Sequence, residues 1–158
     1  MAATTTTDPK LTRAIKASLK AYAAADRKFF DFLKDDVRVF NVNDTEPMLG
    51  REKFESAFAK NFKIKRKVAT LASDIQLSGS QAILSQTLRI TANDVSSQVR
   101  QTVVWQQDDE TGEWKISHIH NALVGQPIVS GKAPKDLRAI KVLNERIATV
   151  AATVGVAQ

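Results

Sequence analysis

A chain of 158 residues, 43% hydrophobic and 25% charged, has the make-up of one globular domain, long enough to bury roughly two-thirds of the surface that its extended form exposes. It has no cysteine, which excludes disulfides, thiolate catalysis and thiolate metal sites, and no apolar run reaches the ~20 residues that a transmembrane helix needs. The formal charge of +6 permits attraction to nucleic acid, an anionic membrane surface or acidic small molecules, and selects none of them.

The opening MAATTTTDPK lacks the basic and apolar regions of a secretory signal, so a cytoplasmic location with no membrane partner is expected. Residues 1–8 are small and polar and read as disordered. Asp8-Pro9 then reads as an N-cap followed by proline at the first helical position, and Leu11, Ile15, Leu19 and Tyr22 recur at three- and four-residue spacing on one helical face. Asp26 is placed to cap a second helix over Arg27 to Leu33, which carries Phe29 and Phe30 and leads to the alternating strand Val37 to Phe40. After the turn-rich NDTEPMLG, a third helix puts Phe54, Ala57, Phe58 and Phe62 on one face.

From Arg66 the period shifts to two. VATLASDIQL, QAILSQTLRI, VRQTVVWQQ and EWKISHIHNALVG read as strands, divided by turns at Gly79-Ser80, at Asn93-Asp94 and in DDETG. Turns this short demand antiparallel hairpins, since parallel strands need long crossovers. Lys63, Lys65 and Lys67 alternate with Ile64, Arg66 and Val68, and we read the lysines as a solvated face that discourages strand addition; without a nucleic-acid motif, no nucleic-acid partner is expected. Residues 127–158 read as a linker and a last helix, whose repeat of Leu137, Ile140, Leu143 and Ile147 serves either its own domain or a partner helix in a homo-oligomer.

This order of elements, with AYAAADRKFFDFLKDDVRVF, PMLGREKFESAF and EWKISHIHNA, resembles the SnoaL-like, nuclear-transport-factor-like superfamily, to which ketosteroid isomerases belong. The resemblance covers about residues 10–126. It implies an α+β cone over residues 9–126, in which a strongly curved antiparallel sheet wraps around the N-terminal helices and leaves a pocket at the wide end, plus an extra C-terminal helix. In pattern the chain is nearest to the association domain of calcium/calmodulin-dependent protein kinase, whose pocket arginines hold carboxylates. Arg89 matches one of those positions, while Val103 and Asn121 stand at two others.

Strand alternation puts Trp114, Ile116, His118, His120 and Ala122 on one face, so both histidines are expected on the pocket wall, about 6–7 Å apart. Chelation would need a third ligand, which no motif supplies, so no metal is expected. His118 reads as a hydrogen-bonded wall residue and His120 as a proton carrier. Arg89, on the stripe of Ile83, Ser85 and Thr87, is expected to face inward and pair with either an internal carboxylate such as Asp26 or an anionic ligand. Trp105 shares a face with Val103 and Gln101, where it could stack on a flat ligand or belong to the core. The candidate site is therefore His120, Asp26 and Tyr22 for proton transfer, with Arg89, His118, Trp105, Phe30 and Val103 for binding, and without a cofactor. Two functions are expected to compete: acid/base isomerisation, dehydration or cyclisation of an anionic or carbonyl small molecule, and a non-catalytic association module that forms a homodimer or larger ring.

Overall fold

Helix α1, Pro9–Ala23, starts where the side chain of Asp8 accepts the backbone N–H groups of Lys10 and Leu11 at 2.9 and 3.1 Å, so two donors that a helix start leaves open are satisfied. The structure is a computed structural model and describes residues 8–129 apart from 43, 60 and 61. The expectations for residues 1–7, for the linker beyond 129 and for the last helix lie outside the described residues. Asp26 caps the next turn through Lys28 N–H at 2.9 Å, as its position suggested, but this element is a 3₁₀ helix, Arg27–Phe32, and β1 starts at once with Leu33–Phe40. A two-residue strand β2, Met48–Leu49, precedes α2, Arg51–Phe58.

Four long strands follow: β3 Lys67–Ser78, β4 Gln81–Ala92, β5 Val95–Gln107 and β6 Trp114–Leu123. Their turns match their chemistry. Gly79, Asn93 and Asp94 have φ of 60°, 50° and 65°, the left-handed values that two-residue hairpins require, and Asp108 accepts the N–H groups of Glu110 and Thr111 at 2.9 and 2.8 Å. The strands pair in the order β2-β1-β6-β5-β4-β3, antiparallel except where β1 runs parallel to β6. A short β7, Ile128–Val129, adds to β5, so part of the expected linker is strand.

One face of this curved sheet covers α1, the 3₁₀ helix and α2. Alternation decides which side chains go inside: along β4, Ala82, Leu84, Gln86, Leu88 and Ile90 are buried, while Ile83, Ser85 and Arg89 are exposed. The rings of Phe29, Phe30, Phe54, Phe58 and Phe62 fill the cone, with neighbouring centroids 4.9–6.4 Å apart. β3 is the far edge, and most of its residues are exposed on both faces. The run expected to extend that strand toward Lys63 is not strand before Lys67, and its Arg66 turns into the core.

Candidate functional site

A hollow remains between α1 and the concave face of the sheet, walled by Tyr22 and Ser18 from α1, Phe54 and Phe58 from α2, and inward residues of β4, β5 and β6. Its free volume is about 50 Å³, enough for a few water-sized bodies and about a third of the ~150 Å³ of a dry cavity that admits benzene. Most of the lining is apolar: Leu84, Leu88, Val99, Val103, Ile116 and Ile119 form the sheet side. Across it runs a polar row. Gln86 Nε2 donates to Gln101 Oε1 at 2.8 Å, Gln101 Nε2 to Asn121 Oδ1 at 2.9 Å, and Asn121 Nδ2 to Asn41 Oδ1 at 3.5 Å; Asn41 Nδ2 ends the row on the Asp44 carboxylate at 3.0 Å. The β-sheet register creates it, because Gln86 lies opposite Gln101 and Gln101 opposite Asn121.

Of the expected site, Tyr22, Trp105 and Val103 line this hollow. Tyr22 is the only titratable residue among the described residues that line it, and burial raises its phenol pKa well above the usual range, with the Arg66 charge opposing part of the shift. The guanidinium of Arg66 sits 4.5 Å from the Tyr22 ring centroid, and its Nη1 donates to the Tyr22 carbonyl at 2.9 Å. Sequence reasoning left Arg66 as one member of an alternating run; the signal was its place on the side opposite the three lysines.

The remaining expectations need correction. Arg89 is exposed on the convex face and makes no ion pair among the described residues, because the more apolar stripe of β4 takes the inside. Burying a leucine there is worth about 1.5–3 kcal/mol, whereas an unpaired guanidinium would cost several. Asp26 is exposed and acts as a cap. Phe30 packs against Phe54, Phe58 and Phe62 and does not line the hollow.

His118 and His120 do share a face, but it is the convex one. Trp105 pairs with Ile116 and Val104 with His118, so Ser117 is one extra residue in β6, a bulge that shifts the alternation. Before it Trp114 and Ile116 point inward; after it Ile119 and Asn121 do, and His120 is exposed. Outside, the two imidazoles flank Phe40, with ring centroids at 5.2 and 6.1 Å. Partial desolvation, then the neighbouring His120 and Arg38, lower the pKa of His118. The two positions where the resembled association domain has arginines, Val103 and Asn121, do face the hollow, yet they carry no charge.

Comparison with known proteins agrees with this architecture. The SnoaL-like domain pattern matches residues 11–124. No curated protein matches the chain. Among solved structures, a nuclear transport factor 2-like protein of Cytophaga hutchinsonii is 18% identical, with a TM-score of 0.63 over 75% of this chain and 100% of its own. The calcium/calmodulin-dependent protein kinase II hub of S. rosetta is 21% identical, with a TM-score of 0.63 over 75% of this chain and 98% of its own. A protein of Parabacteroides distasonis, described provisionally as a ketosteroid isomerase, is 19% identical, with a TM-score of 0.61 over 70% and 84%. At these identities the likeness speaks for the fold.

Proposed function

The chain belongs to the SnoaL-like domain family, and from that premise we propose that it is a non-catalytic association module whose copies meet through the convex face of the sheet. The observation that carries this reading is the composition of that face. Two adjacent cross-strand rows, Ile83–Val104–His118 and Thr102–His120–Phe40, bring together large apolar and aromatic groups, and Phe40 and Ile83 are each 37% exposed. A protein that keeps such a row on its surface gains by covering it. The fold likeness to a kinase hub supports the same reading.

Acid/base isomerisation, dehydration or cyclisation draws little support from the hollow. Such chemistry needs a base near the reacting carbon, and among the described residues the lining offers no carboxylate and no imidazole, only a phenol held protonated by burial. A second reading is favoured by one specific feature, the polar row Gln86–Gln101–Asn121: the hollow binds a small molecule without transforming it.

Light scattering on the eluting chromatographic peak tests the association reading. We expect a dimer or larger species, and a monomer with an unchanged circular dichroism spectrum for the double variant Phe40→Asp, Ile83→Asp. A monomeric wild-type chain at high concentration would overturn it.

A further inference from the structure

We infer that the hollow is a binding site for a small uncharged molecule carrying a hydroxyl group, received at the Gln86 end of the amide row; this rests on the second reading above. The argument begins at the opposite end. An ionised carboxylate only accepts hydrogen bonds, so Asp44 requires Asn41 to present its NH₂ group, at 3.0 Å. That turns the Asn41 oxygen toward Asn121, which must donate, and the same constraint passes to Gln101 and then to Gln86. All four amides therefore donate toward Asp44, and their dipoles add along the chain.

The direction has a consequence at the last member. Gln86 uses an N–H on Gln101, so its Oε1 is left as the terminal acceptor; it receives no hydrogen bond among the described residues, although the residue is only 6% exposed. A terminal carbonyl oxygen without a protein donor is open to a ligand O–H, which extends the row by one more bond. A hydroxyl also accepts, which suits the second N–H of the neighbouring amides. Ser18 Oγ, also in the lining, already spends its proton on the Ile15 carbonyl at 2.8 Å and so offers acceptors too.

Charge and size narrow the class further. No cation lines the hollow among the described residues, and Arg66 lies against the Tyr22 ring with Nη1 on the Tyr22 carbonyl, so a carboxylate would be desolvated with no direct ion pair, and the row's acceptor end would repel it. The anionic ligand expected from Arg89 is thus replaced by a neutral one. A free volume of about 50 Å³ limits it to a few heavy atoms unless the phenylalanine wall moves.

The test compares propan-2-ol, acetone and acetate as probes, following the side-chain NH₂ resonances of Gln86, Gln101 and Asn121 by NMR. Propan-2-ol and acetone share a shape, but only the alcohol donates. We expect saturable shifts with propan-2-ol at an affinity at least about tenfold above that for acetone, with acetate weaker still. Gln86→Met should bring alcohol and ketone to parity. Should that variant not fold, Asp44→Asn provides a test from outside the lining, because removing the fixed acceptor lets the row reverse and acetone should gain on propan-2-ol. Equal saturable binding of both probes to the wild-type chain overturns the hydroxyl assignment and leaves the binding reading standing. Linear, unsaturable shifts with every probe mean that only water enters, and both fail.

Discussion

Tyr22 and Arg66 show how one contact sets the character of the cone. Arg66 lies over the Tyr22 ring and holds its carbonyl, so α1 is tied to the segment that enters β3. Burial without full compensation raises the Tyr22 pKa above its ordinary value, which links it to stability. A raised folded-state pKa means that the contribution is complete below the unfolded value of about 10 and is lost as pH rises past it. Because the chain has one tyrosine, the measurement is clean: tyrosinate absorbance should stay absent on alkaline titration until the protein unfolds, and the two transitions should coincide. Ionisation of the folded chain near pH 10 would contradict the packing described. Residues of this kind are only half legible in a sequence. The stripe Gln101, Val103, Trp105 was readable because all three continue one unbroken alternation, and all three line the hollow. Arg89 shares a stripe with Ile83, Ser85 and Thr87, as its spacing predicts, but the neighbouring Leu84, Leu88 and Ile90 form the more apolar stripe, and hydrophobic burial assigns the inside to them.

Strand β6 turns on a single inserted residue. Without the bulge at Ser117, Trp114 and Ile116 would share a face with His118 and His120, the arrangement that simple alternation predicts. With it, Trp114, Ile116, Ile119 and Asn121 all face the core, at 3–5% exposure. No residue type announces such a bulge, and only the competition between the two halves of the strand reveals it: Trp114 and Ile116 in the first half and Ile119 in the second lie on opposite phases of one alternation. Deleting Ser117 should therefore force one half outward. Exposing Trp114 and Ile116 costs about 3–6 kcal/mol, comparable with the entire stability of a marginal domain. We expect the deletion variant to lose cooperative urea unfolding. Ser117→Ala should unfold almost like the parent, since its hydroxyl contributes only a 3.3 Å bond to the Val104 carbonyl. A deletion variant as stable as the parent would mean that the register has an alternative solution. Elsewhere turns and caps were legible for the opposite reason: Asp8, Gly79 and Asn93-Asp94 act through local chemistry that does not depend on what lies across the sheet.

The described residues present two faces of different electrostatics: a concave lining without charged groups and a convex surface that is mostly basic. Arg38 of β1, Arg89 of β4 and Arg100 of β5 are exposed on the convex side, with Asp74 of β3 opposing them and His118 and His120 between. In the proposed association, two copies meeting through this face would bring like charges together, so the apolar row around Phe40 and Ile83 would have to overcome repulsion. Salt changes that balance in a definite direction. At 0.1 M the screening length is about 10 Å and at 1 M about 3 Å, so repulsion between exposed arginines fades while hydrophobic contact does not. Self-association should therefore strengthen as sodium chloride rises, the reverse of binding to a polyanion, which weakens steeply. Acid acts the other way. Partial desolvation, then His120 and Arg38, lower the pKa of His118, so it takes up its proton at a lower pH than an unperturbed histidine; once it does, each copy gains charge on the proposed contact face and dissociation is expected. Sedimentation velocity at two salt concentrations and across pH 5 to 8 measures both trends. Association that weakens with salt would place opposite charges at the contact, and the convex face would have to give way to another surface.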